Sequence, residues 1–362
     1  MKKTKYIISG GGTGGHIFPA ISIANEIRRI NPDSKILFVG SYGKMEMKKV
    51  PDSGFEIIGL PIDGFHRSFL LKNILFPFKL FISVIKSFFI VIKFKPDIVI
   101  GTGGFASGPV LFVSQVMGYP SIIQEQNSYP GITNKLLGKK AKFICVAYNK
   151  MEKFFPKHKI IITGNPVRKD IIENNIKKTE AIQFFDLDQK KPIVGIVGGS
   201  LGSQMINKVI NDNIKTFNDL GIQLIWQCGK LYYDRYKHQH NQVIKVLPFI
   251  TRMNFMYRSI DFLISRSGAS TISEICITNT PSILIPSPNV AENHQYKNAL
   301  KLYELNAAEI IEEKNLEAKF KPVLTEFLQN DLLRSKMKNN LKNLSKPNAT
   351  KNIVEKIKQM IN

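Results

Sequence analysis

The sequence predicts an α/β protein made of two halves of similar construction, each a parallel sheet flanked by helices. Three observations carry this. Short, uniformly apolar runs recur along the chain, as expected of strands buried on both faces. Many of them break at their carboxyl ends into glycine-rich or polar loops that lead into helical patterns. The order strand, glycine-rich loop, helix opens the chain at Lys5 and opens it again at Pro192. In open α/β sheets, ligands bind outside the carboxyl ends of the strands. If the two halves face one another, these loops line one central cleft.

The 362 residues suffice for two ordinary domains, and a chain 43% hydrophobic and 22% charged has the composition of a folded globular protein. The expected division is 1–164 for the first domain, 165–340 for the second, and a C-terminal helix over 341–362, with a return onto the first domain as one placement for it. Gly164-Asn165-Pro166-Val167-Arg168 ends the first half with an Asn-Pro turn suited to a hinge. Cys145, Cys228 and Cys276 are few, distant from one another and set in apolar surroundings, which excludes a disulfide framework and points to a reducing compartment. The apolar stretch after the basic MKKTK is too short for a signal-peptide core and reads as a first strand. A net charge of +23 points either to a polyanionic partner or to a general richness in Lys and Asn. It comes with no zinc spacing, RNP-type strand or basic heptad region, so nucleic acid is not the expected partner.

In chain order, Lys5–Ser9 is the first strand and enters Gly10-Gly11-Gly12-Thr13-Gly14-Gly15-His16. Gly10, Gly12 and Gly15 match G-x-G-x-x-G, but the second strand, Lys35–Gly43, ends in Gly and Ser without the carboxylate that a dinucleotide ribose needs. The glycines still allow an anion close to the backbone. His16 either caps or packs at the helix start or faces a ligand. Phe65–Lys95 is dense in Phe, Leu, Ile and Val, with Lys72, Lys79, Lys86 and Lys93 at steps of seven forming a narrow basic stripe. It lacks the ~18 uncharged residues of a membrane span. Either its apolar face covers the sheet with the lysines in water, or part of it, Phe65–Leu80 above all, lies on a membrane surface with the lysines meeting anionic headgroups. Pro96–Ile100 ends in a second glycine turn, Gly101-Thr102-Gly103-Gly104. Strand SIIQEQ places Glu125 at its tip as a base or an orienting group, followed by Gln126 and Asn127. Asp186-Leu187-Asp188 has the form of a metal-holding D-x-D but lies in a polar connector, and is read as chance.

In the second half, Pro192–Val197 breaks into Gly198-Gly199-Ser200-Leu201-Gly202-Ser203. Strands LIWQCG and VIKVLPFI follow, and then two β-loop-α units over Ile260–Leu300. The first loop, Arg266-Ser267-Gly268-Ala269-Ser270, opens a helix with Ser270 or Thr271 expected as its cap and Glu274 in its first turn. Such a start offers backbone N–H groups to a pyrophosphate, and Glu274 offers a carboxylate to two ribose hydroxyls. The second loop supplies Glu292, Asn293, His294 and Gln295, groups suited to a polyhydroxyl ring. Together the loops read as a socket for a nucleoside diphosphate sugar.

Four stretches, GGGTGGHIFPA, GTGGFASGP with QEQNSYPGITNK, GNPVR with GGSLGS, and SRSGASTISE with PNVAENHQYKNA, resemble in order and spacing the MurG family. These are the bacterial UDP-N-acetylglucosamine–N-acetylmuramyl-(pentapeptide) pyrophosphoryl-undecaprenol N-acetylglucosamine transferases, of glycosyltransferase family 28. The resemblance runs from about Lys5 to Leu300. It implies a GT-B fold of two Rossmann-like domains, with the donor UDP-GlcNAc held mainly by the second and the lipid acceptor by the first. By motif, Thr13, Gly14 and Gly15 border the donor from across the cleft, and Asn127 approaches the sugar. Arg168 and Ser200 contact the diphosphate region, and Ile250 meets the uracil through its backbone. Ala269, Ser270, Thr271, Ile272, Ser273 and Glu274 hold phosphate and ribose, with Glu274 on the ribose hydroxyls, and Gln295 binds the sugar.

The implied reaction is an inverting transfer. The 4-hydroxyl of the muramyl sugar of lipid I attacks C1 of GlcNAc and displaces UDP, giving lipid II for peptidoglycan synthesis, and with it cell-wall biogenesis, cell shape and division. An oxocarbenium-like transition state needs a base for the hydroxyl proton and positive charge or N–H dipoles for the leaving diphosphate. Arg168 and the helix start at Ser270 serve the leaving group, so this reading calls for no metal and no cofactor. His16, whose neutral imidazole suits the role near pH 7, is the first choice as base and Glu125 the second. Gly103 and Gly104 are assigned to the acceptor pyrophosphate. The enzyme is expected at the cytoplasmic face of the inner membrane as a peripheral protein on an anionic surface. UDP-GlcNAc 2-epimerases share the architecture and the donor and are the alternative. A nucleic-acid-binding module would leave the glycine loops unexplained.

Overall fold

In the computed structural model, which describes residues 3–64 and 74–361, the chain divides into two compact units. One holds the residues up to Arg168 together with those from Lys346 onward, and the other is Lys169–Ser345.

The first unit is built on a parallel sheet of β1 (Lys5–Gly10), β2 (Lys35–Ser41), β3 (Glu56–Leu60), β4 (Ile98–Gly103), β5 (Ser121–Glu125), β6 (Phe143–Val146) and β7 (Ile160–Ile162). The strand order is β3-β2-β1-β4-β5-β6-β7. The runs are apolar throughout because both faces are covered. Ile7, Val39, Val99 and Ile123 enter one core, and Ile8, Phe38, Ile100 and Ile122 enter the other. Chain order reverses between β1 and β4, the kind of crevice in which doubly wound sheets hold ligands. The register between them breaks at this point: Ser9 stands opposite Gly101, but Gly10 stands opposite Gly103. The skipped Thr102 fills the space beside Gly10, where a Cβ would lie 1.9 Å from Thr102 Oγ1. That hydroxyl donates to the His16 carbonyl at 2.9 Å.

The last helix, Ala349–Lys358, belongs to this unit. Its Ile353, Val354 and Ile357 lie in one core with Ile17, Ile21 and Phe38. The lysine-rich exterior of that helix stays exposed while one apolar stripe is buried.

The helix Phe76–Phe94 differs from one of the two arrangements expected for it. Its buried residues are Ser83, Ser87, Ile90 and Val91, so the broad apolar face does not cover the sheet. Phe78, Phe81 and Phe89 are 67%, 66% and 64% exposed, and Ile82, Ile85 and Ile92 are exposed beside them. Two lysines of the stripe are not simply in water. Lys79 pairs with Asp63, and Lys86 donates to Tyr42 Oη at 2.6 Å. Lys72 and the remainder of 65–73 lie outside the described residues. Among the described residues no helix is long and apolar enough to cross a membrane.

The second unit carries β8 (Ile193–Val197), β9 (Gln223–Gln227), β10 (Ile244–Leu247), β11 (Phe262–Ser265), β12 (Ser282–Leu284) and β13 (Glu309–Ile310), all parallel, in the order β10-β9-β8-β11-β12-β13. The reversal falls between β8 and β11. Trp226, Phe262, Phe320 and Phe327 anchor its core, and Trp226 Nε1 donates to the buried Asn207 at 3.0 Å. Asp186 accepts from Lys245 at 3.0 Å, and Asp188 accepts from the Lys190 backbone at 2.9 Å, so each aspartate of the D-x-D is engaged in local structure. All three cysteines are free and buried. Burial pushes the thiols of Cys145 and Cys276 up to about 12 and that of Cys228 up to about 11, so they are packing residues and not nucleophiles.

Candidate functional site

In the first unit, the loop after β1 opens the helix Gly14–Ile30, with extended Thr13 as its N-cap residue. Gly12 and Thr13 are exposed, while Gly14, Gly15 and His16 are half-buried. His16 Nδ1 lies 3.0 Å from the Gly11 carbonyl and 3.2 Å from Thr13 Oγ1. A carbonyl only accepts, so this contact assigns the hydrogen to Nδ1 and, in the neutral ring, the lone pair to Nε2. The second glycine turn closes on the first. Gly11 N donates to the Gly103 carbonyl at 3.3 Å, and a Cβ on Gly104, whose φ is +86°, would lie 2.2 Å from the Gly11 carbonyl oxygen. A Cβ on Gly103 would meet the His16 ring 2.9 Å away. Gly103, Gly104 and His16 therefore form one surface at the head of β1 and β4, followed by the helix Ser107–Val116.

Glu125 stands at the tip of β5, 1% exposed. It accepts from Asn127 N at 2.9 Å, Asn134 Nδ2 at 2.8 Å, Asn127 Nδ2 at 3.2 Å and Gly131 N at 3.3 Å. Desolvation raises its pKa above the ordinary carboxylate value, and these four donors act against that rise. Both oxygens are thus committed to the loop that carries Asn127. Gln124 and Gln126 extend the arrangement. Gln124 donates to Asn165 Oδ1 at 2.9 Å, and Asn165 Nδ2 donates to the Gln126 carbonyl at 3.0 Å, so the GNPVR segment is fixed to the tip of β5. Arg168, in that segment, places its guanidinium 5.7 Å from the centre of the Phe18 ring.

In the second unit, Ser200 is exposed in the turn between Gly199 and Gly202, both at positive φ. Gly202 abuts the Cys228 carbonyl so closely that a Cβ would lie 2.1 Å from it. Ile250 is buried, and its N–H donates to Gln227 Oε1 at 2.8 Å. The helix after β11 spans Ala269–Thr278 with Gly268 at the N-cap and no side-chain cap. This corrects two expectations. Neither Ser270 nor Thr271 caps the helix, because the chain turns helical one residue before them, and Glu274 lies beyond the first turn. The buried Ser270 Oγ has no hydrogen-bond partner among the described residues. Ile272 and Ala269 bury their side chains, the Ile272 N–H donates to the Gly268 carbonyl at 2.9 Å, and the Ser273 hydroxyl donates to the Ala269 carbonyl at 2.9 Å. Tyr257, 5% exposed, donates to Glu274 Oε2 at 3.0 Å and fixes that carboxylate. Gln295 Oε1 accepts from Ser287 N at 2.9 Å, which directs its amide as a donor, and its carbonyl accepts from Ser267 Oγ at 2.8 Å. Glu292 and Asn293 before it adopt left-handed backbone, φ +55° and +50°, a conformation that disfavours L-residues other than Asn and Asp.

The model of the glycosyltransferase family 28 N-terminal domain matches residues 6–146, and that of the family 28 C-terminal domain matches residues 193–356. The chain belongs to glycosyltransferase family 28. Its family 28 relatives include a Flavobacterium psychrophilum protein 52% identical over all of this chain and 99% of that one. Another, from Christiangramia forsetii, is 50% identical over 99% and 98% of the two chains. Both bear the name UDP-N-acetylglucosamine–N-acetylmuramyl-(pentapeptide) pyrophosphoryl-undecaprenol N-acetylglucosamine transferase. Among solved structures, MurG of Acinetobacter baumannii superposes with a TM-score of 0.77 at 25% identity over 99% of each chain. The Neisseria meningitidis UDP-GlcNAc 2-epimerase bound to UDP-GlcNAc gives 0.70 at 15% identity, over 98% of this chain and 100% of that one, a likeness of fold alone. The fold is thus the two-unit GT-B arrangement of family 28, and the chain is a glycosyltransferase.

Three residues that shape these loops escape a reading by motif. Glu46, five positions past β2 and fully buried, accepts from Gly12 N at 3.0 and 3.1 Å and from Ser41 N at 3.0 Å. The carboxylate sought at the end of β2 is present after all, one turn later, and it holds the loop itself. In the second unit Arg266 pairs with Glu313 and donates to Ser203 Oγ at 2.7 Å and to the Ile285 carbonyl at 3.0 Å. A charged residue directly after an apolar strand was the one available signal for Arg266. Glu46 and Glu313 lie in helical stretches with no local mark.

Proposed function

We propose that this chain transfers N-acetylglucosamine from UDP-N-acetylglucosamine to the 4-hydroxyl of the muramyl sugar of undecaprenyl-pyrophosphoryl-MurNAc-pentapeptide, converting lipid I to lipid II in peptidoglycan synthesis. The observation that carries this reading is chain-long identity of half the residues or more to relatives named for that transfer. The 2-epimerase alternative has only the common fold behind it.

The donor is assigned to the second unit. The uncapped N-terminus at Gly268–Ser270 offers N–H groups and the unpartnered Ser270 hydroxyl to a diphosphate. Thr271 and Ser200 border it, and Glu274, held by Tyr257, takes the ribose hydroxyls. The Ile250 carbonyl meets the uracil N–H, and Gln295 donates to the sugar. In the first unit, Thr13, Gly14, Gly15 and Asn127 bound the reacting sugar, Arg168 draws off the charge of the leaving UDP, and Gly103 with Gly104 receives the acceptor pyrophosphate. His16 is the base and Glu125 the group that orients Asn127, because the oxygens of Glu125 are already engaged by four N–H contacts. The proton of the 4-hydroxyl passes to His16 Nε2 as the oxygen bonds to C1, and the C1–phosphate bond breaks with its electron pair leaving on UDP.

A transfer assay tests this. Labelled UDP-GlcNAc is given with and without lipid I in EDTA. Label entering lipid only with acceptor present supports the reading, and donor consumed without acceptor replaces it by epimerisation.

The acceptor's polyprenyl chain gives the helix Phe76–Phe94 a role. Its exposed Phe78, Phe81 and Phe89, continued by Phe112 and Val116 of the neighbouring helix, form an apolar face suited to the boundary of an anionic membrane. The triple replacement of Phe78, Phe81 and Phe89 by Ser removes up to roughly 1.5–3 kcal/mol of burial per ring. It should abolish flotation with anionic vesicles and leave the melting temperature unchanged. Retained flotation removes this face from the membrane contact.

A further inference from the structure

A single peptide group joins a buried carboxylate to the His16 imidazole. The Gly11–Gly12 peptide turns its N–H to Glu46, whose two oxygens lie 3.1 and 3.0 Å from Gly12 N, and its carbonyl to His16 Nδ1 at 3.0 Å. We propose that Glu46 is a positioning residue for the transfer reaction, acting on His16 through this peptide. The proposal rests on the reading of His16 as the base.

The surroundings are built around this contact. Glu46 is 0% exposed, and burying a carboxylate is costly unless donors converge on it. A Cβ on Gly11 would lie 2.1 Å from Glu46 Oε1, and a Cβ on Gly40 would lie 2.6 Å from Glu46 Cγ. A Cβ on Gly104 would strike the Gly11 carbonyl from the other side, at 2.2 Å. Glycine at these three places lets carboxylate, peptide and imidazole come into line.

The physical effect follows from hydrogen-bond cooperativity. An anion bonded to a peptide N–H draws that proton toward itself and increases the negative charge on the carbonyl of the same peptide. The Gly11 oxygen then accepts more strongly from Nδ1–H. That holds the ring in the tautomer whose Nε2 carries the lone pair, as a directly bonded carboxylate does for other histidines. As Nε2 takes the acceptor hydroxyl proton, the positive charge on the ring is stabilised through the same path. Asn134, whose Nδ2 lies with the His16 ring beside Gly103, donates to Glu125, and Arg168 lies 5.7 Å from the Phe18 ring centre.

The test is long-range proton–nitrogen NMR on the full-length, nitrogen-15-labelled protein, with the His16 signals assigned by their loss in His16→Ala. The wild type is expected as the Nδ1–H tautomer when neutral. Glu46→Gln keeps the side-chain shape and removes the charge. It should lower the His16 pKa by about one unit and admit the Nε2–H tautomer. Glu46→Asp, which keeps the charge, should restore the shift in part. In turnover, Glu46→Gln should move the acid limb of kcat/KM to lower pH and reduce kcat about tenfold, with the KM for UDP-GlcNAc unchanged. An Nε2–H tautomer in the wild type overturns the proposal without any variant, and so does an unaltered His16 titration in folded Glu46→Gln. The base reading fails separately, if His16→Ala retains near-normal kcat.

Discussion

The two units open with the same device, a strand running into a glycine-rich loop and a helix, yet each supports the device differently. Under the first loop lies Glu46, a carboxylate satisfied by the N–H groups of Gly12 and Ser41. Under the second, the charge is the half-buried Arg266–Glu313 pair, which reaches Ser203 and the Ile285 carbonyl. A carboxylate beneath a loop uses up an N–H that would otherwise attract anions and adds a repulsive charge. A closed ion pair does neither. Equal topology is thus supported by a lone carboxylate in one unit and by an ion pair in the other.

The contrast is most exposed to test at His16. His16→Ala should lower kcat by about 10²–10⁴-fold, with UDP-GlcNAc affinity by calorimetry unchanged. A matching loss of donor affinity would mean that the first loop also binds the diphosphate, and the contrast would collapse. Next in size is Arg266→Ala. Each partner of its ion pair is only 13–14% exposed. Leaving Glu313 alone should cost on the order of 3 kcal/mol, read as a lower urea midpoint with an unchanged slope. An undiminished midpoint would show that the pair contributes nothing net, and the second loop would need another support. The smallest effect is expected from Glu274→Gln, which keeps an acceptor for Tyr257 Oη and removes the charge. The KM for UDP-GlcNAc should rise about tenfold with kcat little changed. A fall in kcat alone would place Glu274 in the chemical step.

The fold was legible because a doubly covered parallel sheet imprints itself on the sequence as uniform apolar runs that end in glycine. β1, β4 and β8 carry that mark, and β11 reaches Gly268 only after Arg266 and Ser267. The loops were legible for the same reason: Gly104 and Gly202 stand where a Cβ would strike a backbone oxygen. What stayed hidden was the support beneath the loops. Glu46 and Glu313 act across 34 and 47 residues of chain, and periodicity has no term for contacts at that range. The N-cap of the helix Ala269–Thr278 lies at Gly268, two residues before Ser270, since Gly268 in extended conformation ends the strand's exit without a side-chain cap. The exposed face of Phe76–Phe94 was ambiguous for a different reason. A helix apolar on every side but one narrow lysine stripe hides which side is covered, and the small Ser83 and Ser87 face inward.

The return of the helix Ala349–Lys358 to the first unit bears on how the protein is made. A ribosome releases Lys5 long before Ile357, yet both belong to one folded body. The second unit, continuous from Lys169 to Ser345, has all its strands in hand while the first still lacks Ile353, Val354 and Ile357 from its core. The half that is begun first is completed last. Until then, the core that those three residues share with Ile17 and Ile21 is incomplete, and a nascent chain stalled short of Ala349 holds a finished second unit and an unfinished first one.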